Sequence, residues 1–113
     1  MTLPRLELGR PFSQEDFTDI PLEELKVNVY FRPSHGYFPT LDSFVILPSK
    51  VVPGGAEKGL CLVTIQSTKA KAHGMEGNIL ERLCTRVEAA LKARVEKRYH
   101  FFVTGSNLSL IHI

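Results

Sequence analysis

Five side chains in two short stretches are of the types that handle phosphate esters and hard cations. Asp42 stands in TLDSFVIL, and Gln66, Thr68, Lys69 and Lys71 stand in CLVTIQSTKAKAH. The second stretch opens as an apolar strand, turns polar at Gln66-Ser67-Thr68 and runs straight into basic residues. A carboxylate and a carboxamide are costly to bury unless something uses them. If the two stretches form an antiparallel hairpin centred on Gly54, Asp42 faces Gln66, Phe44 faces Thr64 and Ile46 faces Leu62. Period-two alternation then puts Asp42, Gln66 and Thr68 on one face. Two oxygens there, completed by waters, suit magnesium or manganese. Such an ion polarises a phosphodiester oxygen and lowers the pKa of an attacking water. Lys69 and Lys71 would meet the phosphates. In the simpler reading Asp42 caps the turn formed by Phe38 to Leu41, and Gln66 and Thr68 hydrogen-bond at a strand end. Spacing alone favours the simpler reading.

The elements that must position these residues follow from the pattern of apolar residues. Ser13 predicts an N-cap, with Glu15 and Asp16 in the first turn and Phe17, Ile20 and Leu25 as an apolar stripe that Pro21 interrupts. KVNVYFR, 26–32, alternates with Val27, Val29 and Phe31 on one face and predicts a strand that Pro33 ends. The stretches 40–47 and 59–68 predict the hairpin, joined through Pro53-Gly54-Gly55. Both its faces are apolar, which predicts cover on both sides. From Glu76 to Lys97, Ile79, Leu80, Leu83, Val87, Ala90, Leu91 and Val95 recur at three- and four-residue spacing and predict a long helix. YHFFVT, 99–104, predicts a last strand, with Tyr99 and His100 half-buried at its start. The order helix, strand, strand, strand, helix, strand implies an α/β fold with a mixed sheet and helix cover.

The chain has 113 residues, enough for one domain with a modest core. Its net charge of +2 is too small to imply nucleic-acid binding by itself. Cations outnumber acids from Lys69 to Arg98, a pattern that a solvated helix face also produces. Cys61 and Cys84 read as buried thiols of a reducing compartment, and the paired short spacing of a zinc site is missing. Met1 to Arg10 lacks the apolar region of a signal peptide, and no apolar run approaches membrane-spanning length. These features predict a soluble, intracellular chain with an arm over 1–12 and a single, partial domain over 13–107. The hexapeptide LSLIHI, Leu108 to Ile113, has an encoding that resembles a transposase mosaic-end adaptor. That reading makes 108–113 adaptor-encoded and continues the natural chain past Asn107. The competing reading is a genuine C-terminal strand.

Several of these pieces resemble the C-terminal region of Crinkler effectors and retrotransposon hot spot proteins. They are Pro33, Phe38-Pro39, Asp42, Gln66-x-Thr68, His73 and Phe101-Phe102-Val103, spread over about 27–104 in the same order. The resemblance implies a restriction-endonuclease-like fold, similar to the PD-(D/E)xK superfamily, whose core is also helix, three strands, helix, strand. It implies nuclear action on DNA and a magnesium-dependent hydrolase. Asp42 takes the motif aspartate and Gln66 the D/E position, both as metal ligands. Glu15, Glu23 or Glu24 becomes a helix-borne glutamate. Thr68 occupies the position of the motif lysine, where it would position water. A lysine there orients water and stabilises transition-state charge. Lys69 points to the opposite face if the strand continues, whereas Lys71 could reach back from the loop. Lys69, Lys71 and Arg82 become phosphate contacts. The departure at Thr68 favours a catalytically silent domain on the same fold that binds nucleic acid or a host protein, and a truncated chain also fits a decayed mobile-element fragment.

Overall fold

Alternation of apolar residues with small or polar ones builds one sheet. The computed structural model describes residues 5–13, 17–34, 43–52, 54–55, 58–67, 77–104 and 107–112. They form a six-stranded sheet whose spatial order follows the chain: β1 (Glu7–Leu8), β2 (Val29–Phe31), β3 (Ser43–Pro48), β4 (Leu60–Ser67), β5 (Val95–Thr104) and β6 (Asn107–His112). β2, β3 and β4 form an antiparallel meander. α1 (Gly77–Leu91) then carries the chain to β5, which pairs parallel with β4. A parallel neighbour requires such a crossover. β1 runs parallel to β2 on one edge, and β6 runs antiparallel to β5 on the other. The α/β class and the order strand, strand, strand, helix, strand therefore stand as read.

The hairpin has the expected register. Phe44 pairs with Thr64 and Ile46 with Leu62, and the ladder runs unbroken from Ser43–Ile65 to Pro48–Leu60. Glycine makes the connection possible. Gly54 has φ +75, and a Cβ on Gly55 would lie 1.7 Å from the Ser49 carbonyl oxygen.

α1 forms where expected but stops at Leu91, so Val95, Glu96 and Lys97 belong to β5 instead. Lys92 adopts φ +51, the left-handed conformation that ends a helix. The Glu88 carboxylate accepts a hydrogen bond from the Val95 amide at 2.9 Å, which fixes the turn back into the sheet. Ile79, Leu80, Leu83, Cys84 and Val87 face inward and pack on Phe31, Phe44, Ile46, Leu60 and Leu62. These are the alternate residues of the sheet, as period two requires.

Three expectations need correction. No α-helix starts at Ser13 among the described residues. The Ser13 amide and hydroxyl both donate to Asp19 Oδ2, at 2.5 and 3.0 Å, which closes a loop instead of capping a helix. Only a short 3₁₀ turn, Leu22–Glu24, follows Pro21. Phe17, Ile20 and Leu25 still reach the core, but from loop backbone. Phe17 does so at φ +62, a conformation costly for a bulky residue and offset here by its burial between two rings. Second, the stretch read as an arm supplies β1 and buries Phe12 completely. Third, α1 covers only one face; on the other, Ser43, Val45 and Cys61 are buried, as cover on both sides requires, whereas Leu47, Val63, Ile65, Tyr99 and Phe101 are only half-buried.

Four phenylalanines form the centre of the covered face. Phe44 stacks on Phe31 with centroids 4.8 Å apart, and meets Phe17 edge-on at 5.3 Å and Phe12 at 5.8 Å. Each such pair contributes about 0.5–1.5 kcal/mol beyond the area it buries.

Candidate functional site

Next to this aromatic cluster, toward the carboxyl ends of β4 and β5, the covered face turns polar. Thr64 pairs with His100 across the parallel ladder, and Gln66 with Phe102. Thr64, Gln66 and His100 are 1%, 2% and 0% exposed. Thr64 Oγ1 lies 2.6 Å from His100 Nδ1, and His100 Nε2 lies 3.3 Å from Gln66 Oε1. With the Gln66 carbonyl as acceptor, His100 Nε2 carries the proton and donates it, and the Thr64 hydroxyl donates to Nδ1. The Tyr99 carbonyl, 3.2 Å from Thr64 Oγ1, is a second acceptor for the same hydroxyl. The chain of groups is neutral. Burial pushes the His100 imidazole down to about 4, so it is uncharged at neutral pH.

His100 was expected to be half-buried, and its role was not anticipated. Alternation in RYHFF places Arg98, His100 and Phe102 on one face and Tyr99 and Phe101 on the other. The structure turns His100 to the core. An extra residue in β5 between the pairs Leu60–Val95 and Cys61–Lys97 shifts the register. Val95 then faces the core before the shift, and Arg98 and His100 face it afterwards. Arg98 exits the core through an ion pair with Glu81 of α1, N–O 2.5 Å. The paired signal in the sequence is Thr64 and Gln66 on one face of β4, which call for a polar partner on the next strand.

The expected site residues fare differently. Gln66 is in place on β4, with its oxygen turned toward His100. Arg82 is exposed on α1, away from the Gln66 cluster, and makes no ion pair among the described residues. Asp42, Thr68, Lys69, Lys71 and His73 lie outside the described residues, as does Glu15. Glu23 is exposed on the 3₁₀ turn, and Glu24 pairs with Arg10 at 2.9 Å. Neither belongs to an α-helix. Family models, curated proteins and solved structures give no match to the chain.

Among the described residues no carboxylate stands beside Gln66, and Asp42, the expected second ligand, lies outside them. A hard divalent cation takes six or more oxygens, with carboxylates to balance its charge. Gln66 Oε1 is buried and already accepts from an imidazole, and its neighbours Thr64 and His100 are neutral. What this cluster does chemically is hold the carboxyl ends of β4 and β5 together through matched donors and acceptors. A satisfied buried network of this kind fixes register, because a slip by one residue strands every member.

Two buried thiols, Cys84 on the inward side of α1 and Cys61 on the sheet face away from it, are inert in the same sense. Burial raises the thiol of Cys61, a shift that Lys97 partly offsets, and raises that of Cys84 to about 11. Both cysteines are free and buried. Neither has the lowered pKa of a nucleophile.

Proposed function

We propose that the chain is a nucleic-acid-binding domain of Crinkler and retrotransposon-hot-spot type, built on a restriction-endonuclease-like frame, that does not hydrolyse its ligand. The observation that supports the silent form over the hydrolase is the commitment of Gln66 Oε1 to His100 Nε2 inside a neutral, buried cluster. An oxygen at the D/E position must face a cation in the hydrolase. Thr68 at the lysine position points the same way. The meander followed by a helical crossover is compatible with the frame. Among the described residues no helix is long and apolar enough to cross a membrane.

The test uses the full chain, a fluorescein-labelled mixed-sequence duplex and a supercoiled plasmid. The expected result is salt-dependent binding, with a Kd on the order of 1–100 µM near physiological salt, and no nicking with magnesium or manganese. Nicking that a chelator stops, and that Asp42→Ala and Gln66→Ala each abolish, would replace this reading with the hydrolase. No binding to duplex or single strand at low salt would remove the nucleic-acid ligand altogether.

A further inference from the structure

The end of the sheet opposite Gln66 carries a different set of residues. There β3 ends, β4 and β5 begin, and α1 terminates. Backbone hydrogen bonds tie these points together: the Ser49 amide donates to the Gly59 carbonyl at 3.0 Å, and the Leu60 amide donates to the Arg94 carbonyl at 2.8 Å. Lys50 and Lys58 flank the first bond, Lys92 lies two residues from Arg94, and Lys97 pairs with Cys61 one residue into β4. Gly54 lies beside Lys97, since a Cβ there would be 3.5 Å from its Nζ. Lys50, Lys58, Lys92 and Arg94 are exposed, and among the described residues none of them is in an ion pair. Among the described residues two carboxylates share this end, and Glu57, next to Lys58 in sequence, lies outside them. Glu88 is occupied by the Val95 amide, and Glu96 is exposed beside Gly59.

We infer that this basic end, formed by Lys50, Lys58, Lys92, Arg94 and Lys97, is a surface that receives the phosphate backbone of a nucleic acid. The inference rests on the reading of the chain as a nucleic-acid-binding domain and assigns its contact face. Three observations carry it. The chain as a whole is only +2, so a local excess of cations at one end is not a consequence of overall charge. Neighbouring strands stand about 4.8 Å apart, so cations at the ends of three adjacent strands span roughly 10 Å. A duplex carries one charge per about 1.7 Å of axis, so about six phosphate charges fall within that span. Finally, Lys92 keeps a long side chain at φ +51, where glycine ends a helix without strain. Its side chain is exposed at that turn, two residues from the exposed Arg94.

Interfacial binding to an acidic membrane adds an apolar anchor to basic charge. Among the described residues the exposed large apolar ones are Leu6, Leu8 and Leu22, in or near β1 and on the 3₁₀ turn, and none of these three lies beside the cations of this end.

The experiment measures binding of the full chain to the labelled duplex across a salt series. Wild type is compared with Lys50→Gln/Lys58→Gln/Arg94→Gln, the same triple to Glu, and Arg82→Gln. Circular dichroism and thermal melting verify that each variant is folded, and the Gln triple serves if the Glu triple is not. The Gln triple should lower the slope of log affinity against log salt by about 2–3, near 0.9 per lost phosphate contact. The Glu triple should bind on the order of 100-fold more weakly at low salt. Arg82→Gln should leave the slope unchanged. If wild type binds duplex and both triples keep its slope and affinity, the assignment of this face is overturned and the nucleic-acid reading survives. If wild type binds no nucleic acid, both fall. Binding to phosphatidylserine vesicles without binding to DNA overturns this inference in favour of a lipid surface.

Discussion

The two ends of the β4–β5 pair treat polarity in opposite ways. At the carboxyl end Thr64, Gln66 and His100 are removed from water and satisfy one another. At the amino end Lys50, Lys58, Lys92 and Arg94 face solvent and satisfy nothing within the described chain. The first arrangement is internal. Its energy comes from keeping partners matched, since losing one costs far more than a hydrogen bond gains. The second is external, because exposed charges contribute little to folding and are available to a ligand. A polar residue in a strand is therefore no guide to a site until its end and face are known. Gln66, which its residue type offered as a metal ligand, meets His100 in a buried network, whereas the exposed cations lie on turns with no motif.

Substitutions at the two ends should have unequal effects, the largest in the aromatic cluster beside the buried end. Phe44→Ala removes the ring that pairs with Thr64 and touches three other phenylalanines. It should cost about 3–5 kcal/mol by urea unfolding, and loss of the cooperative transition would be the extreme outcome. A cost below about 1 kcal/mol would mean that the aromatic cluster does not support the buried end.

Acid comes next. The His100 pKa falls from 6.5 in the unfolded chain to about 4 in the fold, so the unfolded state binds the extra proton between those values. The contribution is fully present above pH 6.5 and is lost as pH falls through 4. Its full size is on the order of 3 kcal/mol. Urea midpoints at pH 7 and pH 4.5 should therefore differ more for wild type than for His100→Gln, which cannot titrate. Equal differences in the two proteins would show that His100 is not held neutral by burial.

Thr64→Val keeps the shape and removes the hydroxyl, leaving His100 Nδ1 without its donor. It should cost about 1–3 kcal/mol, with no change in DNA binding. At the other end, Lys50→Ala, Lys58→Ala and Arg94→Ala should each change stability by less than about 0.5 kcal/mol. The contrast between these variants and Thr64→Val, read in one thermal-melting series, is the sharpest form of the comparison. A basic-end variant as costly as Thr64→Val would show that its cation is structural.

Much of the fold was open to sequence reasoning because local periodicity carries it. The hairpin register follows from a glycine-centred loop and two apolar alternations, and β3 and β4 pair accordingly. The inward face of α1 follows from the spacing of Ile79, Leu80, Leu83 and Val87. The periodic pattern overran at Val95, because one apolar residue fits a helix stripe and a strand start equally well. The left-handed turn at Lys92 decides between them. At Ser13 the signal was local and correct in type, an oxygen available for backbone amides. Asp19 takes the Ser13 donors instead, because a carboxylate six residues away closes a loop.

Local pattern alone was enough for the α/β class, the meander and crossover, and the inward faces of α1 and the hairpin. These depend on periods of two and of 3.6, which are properties of neighbours along the chain. Only the tertiary structure decided what Gln66 faces. The register shift between β4 and β5 turns His100 inward, and a single extra residue in β5 sets it. That choice depends on how two strands separated by a helix align, and no local pattern in either strand records it. The gathering of Lys50, Lys58 and Arg94 at one end has the same origin. Residues far apart in sequence meet there because the crossover returns the chain to the edge where β4 began.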